Sequence, residues 1–149
     1  MEITFRSISE ADFDSIFSTV KNGLFHHVDA VFGWDDHFQR RRLETEYQHD
    51  WFYWIEVGDQ QVGLVCFKPY DNSLHVHLLI IDARYRGNGI GSKAMHAIHA
   101  IALSQHRKNV TLSSFRGNGS ALSFYQNLGY RIIDNSEKNF VSLSIDLAL

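Results

Sequence analysis

The sequence predicts an α/β (α+β) chain with the element order β-α-α-β-β-β-α-β-α-β-β. Three observations carry that expectation. Short runs rich in β-branched and aromatic residues recur between turn residues, as at Leu74–Asp82 and Val110–Phe115, which is how strands read. Elsewhere apolar residues fall at steps of three and four, as in Ile90, Ala94, Ile98 and Ile101, a spacing that lines one face of a helix. Between that strand and that helix lies a polar connection carrying Gly87, Gly89 and Gly91. Strand, glycine loop and helix form an anion cradle. Residues without Cβ let backbone N–H groups approach a phosphate, at the partially positive start of a helix.

The elements follow in order. Ile3–Arg6 alternates and reads as a first strand. Ser9 suits an N-cap with Asp12 in the first turn, and Phe13, Ile16, Phe17 and Val20 form a stripe that should end near Gly23. Leu24–His49 has no clean period. Asp36 suits the cap of a helix over His37–Tyr47, with Gln39 completing a capping box. That helix offers only Phe38, Leu43 and Tyr47 for burial among many charges; it reads either as a solvated surface helix or as a lid over a binding site. Trp51–Val57 and Val62–Phe67 form a hairpin around Gly58-Asp59-Gln60-Gln61. Pro69 and Asp71-Asn72-Ser73 make the next turn. After the strand at Val110–Phe115, Asn118 opens a helix that Gly129 ends. Tyr130–Ile133 and Phe140–Leu147 close the chain as a second hairpin.

At 149 residues the expectation is one domain over 1–149, large enough to bury roughly two thirds of its unfolded surface. No apolar run approaches the ~20 residues of a membrane span, and Met1-Glu2-Ile3-Thr4 does not resemble a signal region. A single cysteine, Cys66, excludes an internal disulfide and fits a reducing cytoplasm. A net charge of -3 argues against general nucleic-acid binding. An anion must therefore be held by local amides and a few basic residues.

The spacing of the loop narrows its ligand. A P-loop ends in Gly-Lys-Ser/Thr, whereas Gly91-Ser92-Lys93 inverts that order. The dinucleotide fingerprint needs unevenly spaced glycines at the first strand of a βαβ unit, and this loop is evenly spaced and mid-chain. Arg86-Gly87-Asn88-Gly89-Ile90-Gly91 instead resembles the Arg/Gln-x-x-Gly-x-Gly/Ala motif of the GCN5-related N-acetyltransferase (GNAT) superfamily. Some 30 residues on, Asn118-Gly119-Ser120-Ala121-Leu122-Ser123-Phe124-Tyr125-Gln126-Asn127-Leu128-Gly129-Tyr130 resembles that superfamily's Asn-x-x-Ala-x-x-Phe-Tyr-x-x-x-Gly-Phe/Tyr motif. The resemblance spans Leu74–Tyr130 by motif. It implies a single domain with a mixed, mostly antiparallel central sheet flanked by helices, and acetyl-CoA as co-substrate.

It also implies roles. The loop Arg86, Gly87, Asn88, Gly89, Ile90, Gly91 and Ser92 would hold the pyrophosphate, with Arg84 and Lys93 as further basic candidates. An amide at Ile80 or Ile81 would polarise the thioester carbonyl, as donors do in an oxyanion hole. Tyr125 would protonate the leaving thiolate, and Asn118 would contact the pantetheine arm or cap its helix. Where many relatives carry a glutamate, this chain has His75 and His77. Neutral imidazole is a competent base near pH 7, although two polar residues on the wet face of a strand would look the same. His75-x-His77 lacks a visible third metal ligand, so no metal is expected. The variable segment expected to border the acceptor holds Trp34, Asp35 and Asp36, suited to a small cationic amine or a peptide amine. The expected function is acetyl transfer to an amine by direct attack in a ternary complex. The alternative is a non-catalytic CoA-binding regulatory or interaction protein of the same fold. Nucleic acid and membrane are not expected as partners; a homodimer stays open.

Overall fold

The structure, a computed structural model, describes residues 2–147. Its strands are β1 (Thr4–Ser7), β2 (Phe52–Val57), β3 (Gln60–Tyr70), β4 (Ser73–Ile81), β5 (Asn109–Phe115), β6 (Arg131–Asp134) and β7 (Phe140–Asp146). Its helices are α1 (Phe13–Phe32), α2 (Asp36–Glu46), α3 (Ile90–Ser104) and α4 (Gly119–Asn127). The expected element order holds. Seven strands hydrogen-bond in the order β1-β2-β3-β4-β5-β7-β6. β4 pairs parallel with β5 over Ser73–Val76, while β1–β2, β2–β3, β5–β7 and β6–β7 pair antiparallel.

Two details of the helices differ from expectation. α1 does not stop near Gly23; it continues to Phe32, where Gly33 ends it at φ 79° and donates its N–H to the Asp29 carbonyl at 3.1 Å. Gly23 is a point of close approach, not a stop: a Cβ there would lie 2.8 Å from Cγ2 of Ile80. α2 is capped by Asp35, whose carboxylate accepts the Phe38 N–H at 2.9 Å, and Asp36 is the first helical residue. Gln39 bonds through its backbone N–H to the Asp35 carbonyl at 3.0 Å, so no capping box forms from Asp36. The cap sits one residue early because Asp35 is the residue with extended backbone, the conformation an N-cap adopts.

Tertiary contacts fall into two compact units. The first holds the chain through Cys66 together with Leu78–Gly91. Its core joins Ile16, Phe17 and Val20 of α1 and Leu43 of α2 to Phe52, Trp54, Leu64, Cys66 and Ile80 of the strands. The stripe read from the sequence is thus the buried face of α1. Each such side chain stabilises by about 1.5–3 kcal/mol when fully buried. The second unit holds Phe67–His77 and the chain from Ser92 onward. Here α3 buries Ala94, Met95, Ile98 and Ala102, and β5 and β7 bury Val110, Leu112, Val141 and Leu143. Leu112 stands opposite Leu143 in the β5–β7 ladder. Among the described residues no helix is long and apolar enough to cross a membrane.

Candidate active site

In the first unit, β4 runs into the glycine loop through a short 3-10 turn at Ala83–Tyr85. Asp82 anchors both sides of the junction. Its N–H donates to the Val62 carbonyl at 2.8 Å, and its carboxylate accepts the Arg84 N–H at 3.2 Å. Arg84 folds its guanidinium back onto the same carboxylate at 3.3 Å. Arg86 donates Nε–H to the Ile81 carbonyl at 3.0 Å, and Asn88 donates its amide to the Tyr85 carbonyl at 3.2 Å. Gly87 and Gly89 have φ of 81° and 77°, with open space where a Cβ would stand. Only the backbone conformation demands glycine there. Left-handed Gly87 and Gly89 flank Asn88 directly before a helix of 15 residues, the kind of arrangement in which backbone N–H groups can face an anion.

Behind the strand end, Gly63 meets Ile80 so closely that a Cβ on it would lie 2.4 Å from the Ile80 carbonyl oxygen. A cavity of about 300 Å³ opens beside this contact, lined in part by Gly63, Trp54, Ile80, Ile81 and Arg86.

The second unit holds the titratable candidates. His75 Nδ1 meets Thr111 Oγ1 at 2.8 Å, across a register that pairs the two residues. The His75 and His77 rings stand edge to face at 4.8 Å. Both rings are half-buried, not fully on a wet face. Burial, with the nearby Lys68, lowers the pKa of His75; burial, then His75 and Lys68, lowers that of His77 to about 4. Both imidazoles are neutral at pH 7. Tyr125 is buried in α4, and burial pushes its hydroxyl up to about 12. It therefore stays protonated across any working pH. Asn118 caps α4, its side-chain oxygen accepting the Ala121 N–H at 3.2 Å. Tyr130 packs edge-on against Tyr125 at 5.6 Å, and its hydroxyl meets His99 Nε2 at 2.7 Å. His99 is half-buried, and desolvation, then His96, lowers its pKa. Among the described residues no group of three or more His, Cys, Asp or Glu is arranged to hold a metal ion.

A sequence model described as "Acetyltransferase (GNAT) family" matches residues 21–130. The chain belongs to this acetyltransferase family. Solved structures share the fold. The PaiA N-acetyltransferase from Thermoplasma acidophilum, solved in complex with coenzyme A, superposes with a TM-score of 0.76 at 15% identity, covering 98% of this chain and 99% of that one. An acetyltransferase from Thermus thermophilus gives a TM-score of 0.79 at 16% identity, with 99% and 98% covered. The ribosomal-protein-S18-alanine N-acetyltransferase from Escherichia coli gives 0.71 at 10% identity, with 99% and 95% covered.

Within this GNAT chain the expected acceptor residues already have partners. Asp35 caps α2. Asp36 accepts the Trp34 Nε1–H at 2.5 Å and pairs with Lys21 at 2.8 Å, and those two contacts, Lys21 first, lower its pKa. The Trp34 ring lies 5.5 Å from that of Phe25 and 6.4 Å from that of Phe17. The neighbouring arginines turn elsewhere, Arg40 to Asp14 at 2.6 Å and Arg42 to Glu46 at 3.1 Å. Sequence reasoning missed the cavity beside Trp54 and the His99–Tyr130 pair. The latter residues are 31 apart in sequence, and no local pattern announces such a contact.

Proposed function

We propose that this protein transfers an acetyl group from acetyl-CoA to the amine of a small or peptide acceptor, directly, within a ternary complex. The observation that carries the reading is the loop Arg86–Ser92, whose two left-handed glycines present an anion cradle at the start of α3. Acetyl-CoA supplies an activated thioester, and the N–C bond forms as the C–S bond breaks. Arg86, Gly87, Asn88, Gly89, Ile90, Gly91 and Ser92 hold its phosphates. An amide at Ile80 or Ile81 polarises the thioester carbonyl. His75 or His77, neutral at pH 7, takes the proton that the amine must lose, directly or through water. Tyr125, protonated throughout, returns a proton to the departing sulfur. Asn118 holds the start of α4 and offers the rest of its amide to the pantetheine arm. Trp34, Asp35 and Asp36 border the acceptor.

The test combines binding and turnover. A ligand held only by the native state stabilises it by RT ln(1 + [L]/Kd), about 2.7 kcal/mol at a hundredfold excess. Acetyl-CoA should raise the melting temperature accordingly, and Gly89→Val should abolish most of that shift by disfavouring the left-handed turn. Thiol release from acetyl-CoA, screened over amino acids, polyamines, aminoglycosides and peptides, should find an acceptor. A thermal shift with no acceptor in any class would favour the non-catalytic CoA-binding reading; no shift at all would sink both.

A further inference from the structure

The hydrogen bond between His75 Nδ1 and Thr111 Oγ1, 2.8 Å long, joins side chains that the β4–β5 register sets directly opposite each other. Both residues lie in the second unit. Thr111 is a well-fixed support for an imidazole. Its backbone sits in ladders on both sides, against His75 of β4 and against Ser144 of β7. Its branch at Cβ restricts χ1, so the hydroxyl has few directions in which to point. The bond also narrows what the ring can do. With Nδ1 held by Thr111, Nε2 is the nitrogen left to exchange a proton. His77, two residues on and on the same face of β4, stands edge-on to His75 at 4.8 Å. Its own Nε2 is buried, and a pKa of about 4 leaves it a weak base. Of the two rings, His75 is the better placed to take a proton.

Which member of the pair donates decides the chemistry. Were the Thr111 hydroxyl to donate to Nδ1, hydrogen would sit on Nε2 and the ring would have no open lone pair. With Nδ1–H donating to Oγ1, the lone pair lies on Nε2. Only this second arrangement survives the reaction: once Nε2 takes a proton, the imidazolium still donates through Nδ1, and the bond becomes charge-assisted. The tautomer of a histidine is set by the hydrogen bond that its other nitrogen makes. We propose that Thr111 is a positioning residue, whose hydroxyl accepts the His75 Nδ1–H and so holds Nε2 as the base that deprotonates the acceptor amine. The proposal rests on the acetyltransferase reading and assigns one of its steps. The lone pair of Nε2 forms a new N–H bond as an N–H bond of the protonated amine breaks. The electron pair of the broken bond stays on the amine nitrogen for attack, and solvent later removes the proton from the imidazolium. Thr111 itself exchanges no proton.

The experiment reads tautomer and rate separately, in the full chain. Imidazole ¹⁵N shifts at neutral pH distinguish the two tautomers, and the His75 signals, among those of nine histidines, are assigned by their loss in His75→Gln. The expected result is Nδ1–H in the parent and in Thr111→Ser. Thr111→Val keeps the shape and removes the hydroxyl, so that single tautomer should be lost. Thiol release from acetyl-CoA is measured in parallel, with amino acids, polyamines, aminoglycosides and peptides as acceptors. In Thr111→Val, kcat should fall about tenfold or more, a part of the roughly 10²- to 10⁴-fold that a positioned base contributes, with KM for acetyl-CoA little changed. Thr111→Ser should recover most of that loss. Nε2–H in the parent overturns the proposal, and that result needs no variant to fold. So does a fall in kcat with the tautomer unchanged, which leaves Thr111 a packing role. A changed tautomer with kcat within a few-fold of the parent overturns it as well, since His75 is then not the base. Absent thiol release from the parent with every acceptor is a different failure, that of the acetyltransferase reading, and it removes the base role whatever the tautomer.

Discussion

Replacing Gly63 with alanine puts a methyl carbon 2.4 Å from the Ile80 carbonyl oxygen, with the Ile81 side chain at 3.2 Å and its Cα at 3.3 Å. The first contact falls roughly 1 Å short of a comfortable separation of about 3.5 Å. The added Cβ is fixed to its own backbone and the nearest atom it meets is a backbone carbonyl oxygen, so no rotamer change relieves that contact; the strands must move apart. Overpacking of this kind costs typically about 1–3 kcal/mol, and a backbone clash belongs at the upper end. At about 3 kcal/mol, and about 2–4 °C per kcal/mol for a chain of this size, the melting temperature should fall by about 6–12 °C. Gly23→Ala is the matched control, because it meets the side chain of the same residue and not its backbone. Its Cβ lies 2.8 Å from Ile80 Cγ2 and 3.1 Å from Cγ1 and Cδ1, a buried β-branched side chain that yields only by leaving its rotamer. Alanine recovers about 0.5–1 kcal/mol inside a helix, and an off-rotamer isoleucine costs about 0.5–1.5 kcal/mol, so the net change should stay within about 1 kcal/mol. The assays are a thermal melt and thiol release from acetyl-CoA. Displacing Ile80 and Ile81 by even part of an ångström should also lower turnover, since a 1 Å error in a reacting site costs about 10²-fold. A Gly63→Ala protein melting within about 2 °C of the parent would refute the reasoning, because the strand contact would then be soft.

Three further expectations follow from the site. Tyr125→Phe keeps its packing and removes the proton, so kcat should drop about 10²- to 10⁴-fold with little change in acetyl-CoA affinity; turnover within a few-fold of the parent would leave the residue a packing role. Asp35→Ala removes a helix cap and should cost about 1 kcal/mol, whereas Asp35→Asn still caps and should cost almost nothing; if Asp35→Asn nonetheless raises KM for a cationic acceptor, the effect is charge alone. His77 is held neutral in the fold to about pH 4, against about 6.5 when unfolded. Its contribution is therefore fully present above pH 6.5 and is lost as pH falls toward about 4. The urea midpoint should decline over that window, less so in His77→Gln, and an equal decline in both proteins would count against the assignment. The same depression means that a rise in kcat/KM across the neutral range reports the acceptor amine and not the imidazole.

What the sequence disclosed was whatever is local. The glycine loop, the Asn118 cap and the Tyr125 position are short patterns whose spacing is set by the backbone, and β4 and α3 were legible from period alone. Gly23 shows where this stops. A glycine after a helical stripe usually marks an end, yet here it makes room for Ile80, 57 positions away by residue number. The cap of α2 fell on Asp35 and not Asp36 because either carboxylate suits the role and only the backbone dihedrals decide between them. His99 and Tyr130, and Trp54 with its cavity, come together through tertiary packing. Nothing in the neighbourhood of any one of them in sequence signals the others.

The continuation of α1 beyond Gly23 has a consequence for local opening. The buried residues of this helix are Ile16, Phe17 and Val20 before the glycine but only Val28 after it, and Val31 and Phe32 near its end are 39% and 61% exposed. The two halves therefore differ in how firmly they are clamped, and the least helix-favouring residue but proline lies at their border. Amide hydrogens of residues 25–33 should exchange with solvent through a sub-global opening well before those of 16–22, which are released only when the core opens. That opening frees the connection through Gly33 to Trp34, so the segment that borders the proposed acceptor would breathe on its own while the glycine loop stays closed.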